Sequence, residues 1–177
     1  MAAQAEATSG AATPRRLNEG GEKFRGRVMN PKVFRVYMWM KMPALGVTGT
    51  WLSELNLDRC EAVLPFGWGT RNLFGKMHTA ALAAAGEVAS VCLWMINIRN
   101  QPVGLVPVPV EVTVHAARPL DGGPVHMRAQ GGDAYGAIVE QVAASLSPAE
   151  LETTVEGVTT GGEVVCEVRI RWRIEPK

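Results

Sequence analysis

The chain has 177 residues, 47% of them apolar, and a formal net charge of +1. That length accommodates one domain with a substantial core, and the near-neutral balance gives no electrostatic case for nucleic acid or an anionic membrane surface. The three cysteines, Cys60, Cys92 and Cys166, are odd in number and widely spaced; they suggest neither a disulfide framework nor a zinc site, and point to reduced thiols in a cytosolic compartment.

Residues 1–24 are small and polar, too poor in apolar groups to offset the entropy of ordering, and are expected to form a disordered tail before a single domain over 25–177. They contain no continuous apolar run of the secretory type. Arg15-Arg16 after an Ala/Ser/Thr-rich start leaves a cleaved transit segment as the lesser alternative, with Glu6 against it. Asn30-Pro31 has the form of an N-cap followed by proline at the first helical position. An extra N-terminal helix is expected from there to Met42-Pro43, packing Val33, Phe34, Val36, Tyr37, Trp39 and Met40 onto a sheet.

Leu55–Pro65 reads as a first strand with Cys60, Ala62 and Leu64 on one face, and residues 65–70 as loop. A long helix follows. Between Met77 and Ile98 the only formally charged residue is Glu87, so this helix is apolar on all sides and must be surrounded. Glu87, Gly86 and Ser90 argue against a membrane span despite its length. Beyond it the period changes to two. Val106, Val108, Val110, Val112 and Val114 alternate with Pro107, Pro109, Glu111, Thr113 and His115, which predicts a half-buried strand with one valine face. The two prolines place an edge or a gap there. Asp121–Pro124 is a turn into a short strand over 125–129; Tyr135–Leu146 is helical; Leu151–Thr159 is a strand. Gly161-Gly162 suits a two-residue hairpin turn. The last strand sets Val164, Cys166, Val168, Ile170, Trp172 and Ile174 against Val165, Glu167, Arg169, Arg171 and Arg173, the arginines reading as a solvated face.

One helix followed by a run of antiparallel-type strands implies an α+β fold, a curved sheet wrapped around the apolar helix. The far side of that helix needs cover, which a second subunit can supply.

The spacing Asn72-x-x-Gly75-x-x-His78, opened by Arg71 and followed by Glu87, resembles the hotdog-fold acyl-CoA thioesterase superfamily. It is similar in particular to the phenylacetyl-CoA-pathway and 4-hydroxybenzoyl-CoA thioesterases and to an uncharacterised branch with Arg-Asn-x-x-Gly-x-Met-His before the helix. The order of elements agrees over roughly residues 43–174, the motif over 71–87. The resemblance implies a homodimer or homotetramer, cytoplasmic, with the active site at a subunit interface and no cofactor or metal. Glu87 would be nucleophile or general base, Asn72 would position water or the carbonyl, and His78 with the backbone N–H groups of Thr79 and Ala80 would mark the helix start that polarises the thioester oxygen. Gly75, Thr79, Ala80 and Arg71 would contact substrate, and Arg71, Lys76 and Arg99 are the cations nearest in sequence for the phosphates of an acyl-CoA. Two departures stand out. The family's His-Gly-Gly is His78-Thr79-Ala80, and a hydroxyl one turn after the acid is replaced by Val91, next to Ser90.

Physical chemistry supports these roles separately. Free N–H groups at a helix start form an oxyanion site, and burial moves a carboxylate pKa toward that of a useful base. Nine residues at 100° each, about two and a half turns, put His78 and Glu87 on opposite sides of one helix, so a site uniting them needs two chains. The plainer readings are Glu87 in a salt bridge with Arg71 or Arg99, His78 satisfied by backbone, Asn72 ordering its loop, and Trp51, Trp68 and Trp94 as core or interface. The alternative function is a non-catalytic acyl- or hydrophobic-ligand-binding hotdog protein. A hydratase or dehydratase ranks third, because the paired Asp and His of those enzymes is absent.

Overall fold

Alternation along the last strand organises the sheet. Val168, Ile170, Trp172 and Ile174 have no exposed surface, while Arg169, Arg171 and Arg173 between them face outward. In the computed structural model, which describes residues 15–102 and 104–177, the elements in chain order are α1 (Glu19–Val28), α2 (Pro31–Lys41), α3 (Pro43–Gly46), β1 (Trp51–Leu55), β2 (Arg59–Leu64), α4 (Thr79–Arg99), β3 (Leu105–Ala116), β4 (Val125–Gln130), α5 (Gly132–Ser145), β5 (Ala149–Thr159) and β6 (Val164–Pro176). The strands form one antiparallel sheet in the order β1-β2-β4-β5-β6-β3. The sheet wraps around α4, as the resemblance implies.

α4 is apolar all round and lies inside. Its contact with β6 is close at Gly86, where an added Cβ would come within 2.9 Å of the Val168 Cβ; glycine lets the helix lie directly on a β-branched neighbour. Four polar side chains of this core satisfy one another. The Trp172 indole N–H is shared between Ser90 Oγ (2.9 Å) and Thr153 Oγ1 (3.1 Å), and the Tyr135 hydroxyl lies 3.0 Å from Ser90 Oγ. The Tyr135 ring in turn packs against Trp94 at 4.5 Å between centroids, fastening α5 to α4. Trp172→Phe is expected to destabilise the protein by about 1–3 kcal/mol, because two buried hydroxyls lose their donor and a small void opens. Urea unfolding reads this as a lower midpoint at unchanged slope.

Several elements differ from expectation for identifiable reasons. The single strand over Leu55–Pro65 is instead the end of β1, a turn, and β2. Asn56 Oδ1 accepts from the Asp58 and Arg59 N–H groups and closes the turn, while Leu57 is buried from within it, so an apolar residue there imitated a strand. Helical structure begins at Glu19, inside the stretch expected to be a tail. Asn18 caps α1, and Arg15 bonds Asn97 Oδ1 and pairs with Asp58 and Asp133. The tail expected over residues 1–14 lies outside the described residues.

α2 starts at the Asn30 cap as expected. Of its predicted stripe only Phe34 is buried, joined by Met38; Val33, Val36, Tyr37, Trp39 and Met40 are exposed. β3 is an edge strand, as its prolines require. Its valines do not share a face, however, because a bulge between Pro109 and Glu111 switches the register. Val106 and Val108 sit opposite Glu175 and Arg173, whereas Val112 and Val114 sit opposite Ile170 and Val168 on the helix side. The β5–β6 turn has three residues, Thr160–Gly162, closed by the Thr159 N–H on the Glu163 carbonyl, with Gly162 at positive φ.

The outer face is polar and paired. Arg171 meets Glu111 at 2.7 Å across β3 and β6, and Arg169 and Arg173 bond Glu167 and Glu175. On β2, Glu61 accepts from Arg128 (2.8 Å) and Ser53 (2.7 Å) and contacts His126 (2.9 Å). Burial alone would raise its pKa, but these hydrogen bonds outweigh it and hold the carboxyl at about 2. A depressed carboxylate stabilises the fold above its unfolded pKa and loses that contribution as pH falls through the folded value. Glu61→Gln is therefore expected to cost about 2 kcal/mol at pH 7. The gap to wild type should narrow as pH falls below about 4.5 and close near pH 2, as measured by urea unfolding over a pH series.

Candidate active site

The loop between β2 and α4 is built by short-range bonds. Thr70 Oγ1 donates to the Pro65 carbonyl (2.9 Å) and accepts from the Gly67 N–H (2.9 Å). Arg71 and Met77 then pair as an isolated bridge, with Asn72–Lys76 looped out between them. Asn72 Oδ1 sits inside this loop, accepting from the Phe74 (2.9 Å) and Lys76 (3.0 Å) N–H groups. Gly75 has φ +70, a conformation that side chains resist. Lys76 Nζ reaches Asp121 at 2.9 Å and ties the loop to the β3–β4 connection.

His78 is the N-cap of α4. Its Nδ1 accepts from the Ala80 N–H at 3.0 Å, which leaves the ring proton on Nε2. The Ala81 and Leu82 N–H groups bond the His78 carbonyl. Of the two backbone donors expected for an oxyanion, Ala80 is thus occupied by the cap. The Thr79 N–H is the one without a partner among the described residues.

Arg71, Asn72, Gly75, His78 and Thr79 all line one cleft of about 810 Å³. Ala80 is exposed at the same helix end. Sequence reasoning missed the apolar part of this cleft: Trp68, Leu73 and Phe74 line it too and are 84%, 99% and 85% exposed. Their signal was three large apolar side chains within a glycine-containing loop, where no core can receive them. Trp68 is therefore not core, and neither is the half-exposed Trp51; Trp94 is fully buried.

Glu87 is not in the cleft. α4 is covered by the sheet, by α5 and at its far end by α1, but Ala80, Ala83, Ala84, Glu87, Val91 and Met95 form a continuous stripe with residual exposure. Among the described residues Glu87 has no ion-pair or hydrogen-bond partner, so the expected bridge to Arg71 or Arg99 is absent. Partial burial raises its pKa above the ordinary carboxylate value. Arg99 closes the C-terminal end of α4, about 30 Å along the axis from His78, too far to share the cleft. Ser90, adjacent to the missing hydroxyl position, is engaged in the core bonds to Trp172 and Tyr135. No group of three or more His, Cys, Asp or Glu side chains is placed to hold a metal among the described residues.

Similar solved structures share this architecture. A Haemophilus influenzae thioesterase superposes with a TM-score of 0.62 at 17% identity, over 83% of this chain and 91% of its own. A Pseudomonas aeruginosa protein of unknown function, described as a probable thioesterase, gives 0.67 at 19% identity over 86% and 100%. A point variant of a Staphylococcus aureus thioesterase gives 0.59 at 14% identity over 76% and 100%. No curated protein sequence is significantly similar to the chain. At these identities the likeness establishes the fold, which is the hotdog. The sequence itself, from the Asn30 cap of α2 to the end of the buried row on β6, matches over residues 30–174 the family described as Domain of unknown function (DUF4442), and the chain is a member of it.

Proposed function

We propose that the protein is a thioesterase that hydrolyses an acyl-CoA or related thioester at a site shared by two subunits. The observation that carries this reading is Glu87, a carboxylate without a partner among the described residues, on the uncovered stripe of an otherwise buried helix. A desolvated carboxylate without a counter-charge is destabilising, and its retention is accounted for by a chemical task. The thioesterase descriptions of the structural neighbours support the same reaction class.

A second copy laid against the open stripe and the β3 edge would bring Glu87 of one chain toward the cleft of the other. Glu87 takes a proton from water as the water oxygen bonds to the thioester carbonyl carbon. The oxyanion is held by the Thr79 N–H and the His78 Nε2–H, and the Asn72 amide N–H, with its oxygen already engaged in the loop, positions the water or the carbonyl. The C–S bond then breaks, and the proton held by Glu87 passes to the departing thiolate. Trp68, Leu73 and Phe74 furnish apolar surface for the acyl group, and Arg71 is the cation of the cleft with no acidic partner among the described residues.

One observation favours the alternative of a non-catalytic acyl-binding protein: Ala80 N–H is taken up by His78 and Thr79 carries a side chain, leaving one backbone donor where His-Gly-Gly loops are open. A panel of acyl-CoA esters assayed with a free-thiol reagent, wild type against Glu87→Ala, separates the two. Thiol release by wild type, falling to background in the variant, is expected. Binding of acyl-CoA by wild type with no release for any chain length would establish the binding protein instead.

A further inference from the structure

The near-neutral net charge conceals a local segregation on α2. This helix, Pro-Lys-Val-Phe-Arg-Val-Tyr-Met-Trp-Met-Lys, contains three cations and no acid. Phe34 and Met38, about 40° apart on the helical wheel, are its buried side. Val36 lies about 180° from them and is 58% exposed; Met40 beside it is 73% exposed, and Val33, Tyr37 and Trp39 are each about half exposed. The outward side is therefore as apolar as the inward one. Arg35 and Lys41 flank it and Lys32 lies within it at the start of the helix, and the ion pairs among the described residues, including those of the neighbouring α1, engage none of the three. Lys32 and Arg35 also line a hollow of about 370 Å³ against Trp51 at the start of β1.

We propose that the outer face of α2 docks on an anionic lipid surface, with Val36, Tyr37, Trp39 and Met40 entering the interface and Lys32, Arg35 and Lys41 meeting phosphate headgroups. Helices that lie in a membrane interface carry this pairing of aromatic and aliphatic side chains with flanking cations. Charge decides against a second copy as occupant, since a twofold contact through Val36 would bring two sets of the same cations together with no acid between them. An anionic surface neutralises them all at once. Docking there also reaches the cleft, because α3 continues directly from α2 and the Val47 carbonyl after it packs on Gly69 in the loop that carries Trp68.

Co-sedimentation of the full chain with vesicles of phosphatidylcholine, with or without about one third phosphatidylglycerol, tests this. Binding to the anionic vesicles alone, released by 0.5 M salt, is expected. Lys32→Gln/Arg35→Gln should weaken partitioning roughly 25-fold, about fivefold per cation. Val36→Ser/Met40→Ser should weaken it roughly tenfold or more. Both variants should keep the wild-type circular dichroism and the wild-type hydrolysis rate on soluble substrate. Failure of wild type to bind anionic vesicles, or equal binding by both variants, overturns the proposal. So does a Val36→Ser/Met40→Ser protein that drops to a smaller species in light scattering, which would make the face a contact between copies.

Discussion

Glu87→Gln is expected to lower thioester hydrolysis by about 10³-fold and, at the same time, to raise the thermal midpoint of the protein. The two effects have one cause. Partial burial of Glu87 in an apolar stripe raises its pKa in the folded chain, with no counter-charge among the described residues to offset it. A carboxyl whose folded pKa exceeds its unfolded one contributes stability below the unfolded value and loses it as pH rises through the folded value. At neutral pH the ionised group is therefore a burden on the fold, and the isosteric, neutral Gln removes it. The gain in midpoint should be present at pH 7 and vanish near pH 4, where wild type is protonated in both states. The wild-type hydrolysis rate should rise with pH through the same raised pKa, and the residual rate of the variant should not. Calorimetry at the two pH values and initial rates across the range read these effects. A midpoint that falls in the variant would instead identify Glu87 as one half of a structural ion pair.

What the sequence revealed follows from where the physics is local. α4 was legible because twenty-one consecutive helical residues, with Glu87 the one charge before the terminal Arg99, leave no other solution than burial. β6 was legible from Cys166 to Ile174 because sustained alternation cannot be produced by any other backbone. At its start Val164 is exposed and Val165 buried, the reverse of expectation, where a bulge between Gly157 and Val158 shifts the register. The Asn30-Pro31 start of α2 was legible because a cap is a short-range hydrogen bond. Failures came where distant partners decide. α1 is held by Arg15, by the Asn18–Asn100 bonds and by Arg25 on the Leu55 carbonyl, none visible in its own polar composition. Leu57 looked like strand because burial in a turn depends on what lies beneath it. The valine row of β3 was read as one face because a bulge leaves its alternation intact in sequence and breaks it only in register. The same division holds at the site. The spacing of Asn72, Gly75 and His78 located the loop and helix start, whereas the apolar wall of Trp68, Leu73 and Phe74, and the occupation of the Ala80 N–H by the His78 ring, depend on how the loop folds back on itself.

Mixing two inactive variants is expected to restore activity, and this is the most discriminating consequence of a shared site. His78 caps the start of α4, and Glu87 lies nine residues on, about 13 Å along the axis and on the opposite side of the helix. Side chains of ordinary length do not bridge that separation to act on one carbonyl within a chain. His78→Ser keeps a capping oxygen for the Ala80 N–H and removes the imidazole donor, so it should fold normally and lose about 10²–10³ in rate. Glu87→Gln keeps shape and loses the base. In a twofold dimer combining the two, one site joins both lesions and the other joins the intact Glu87 of one chain to the intact His78 of its partner. Hybrids purified through two different tags should then show about half the wild-type rate per dimer, and random co-assembly about a quarter. Each variant alone stays near background. If both groups acted within one chain, every site in the hybrid would carry a lesion, and the purified hybrid would be as inactive as its parents.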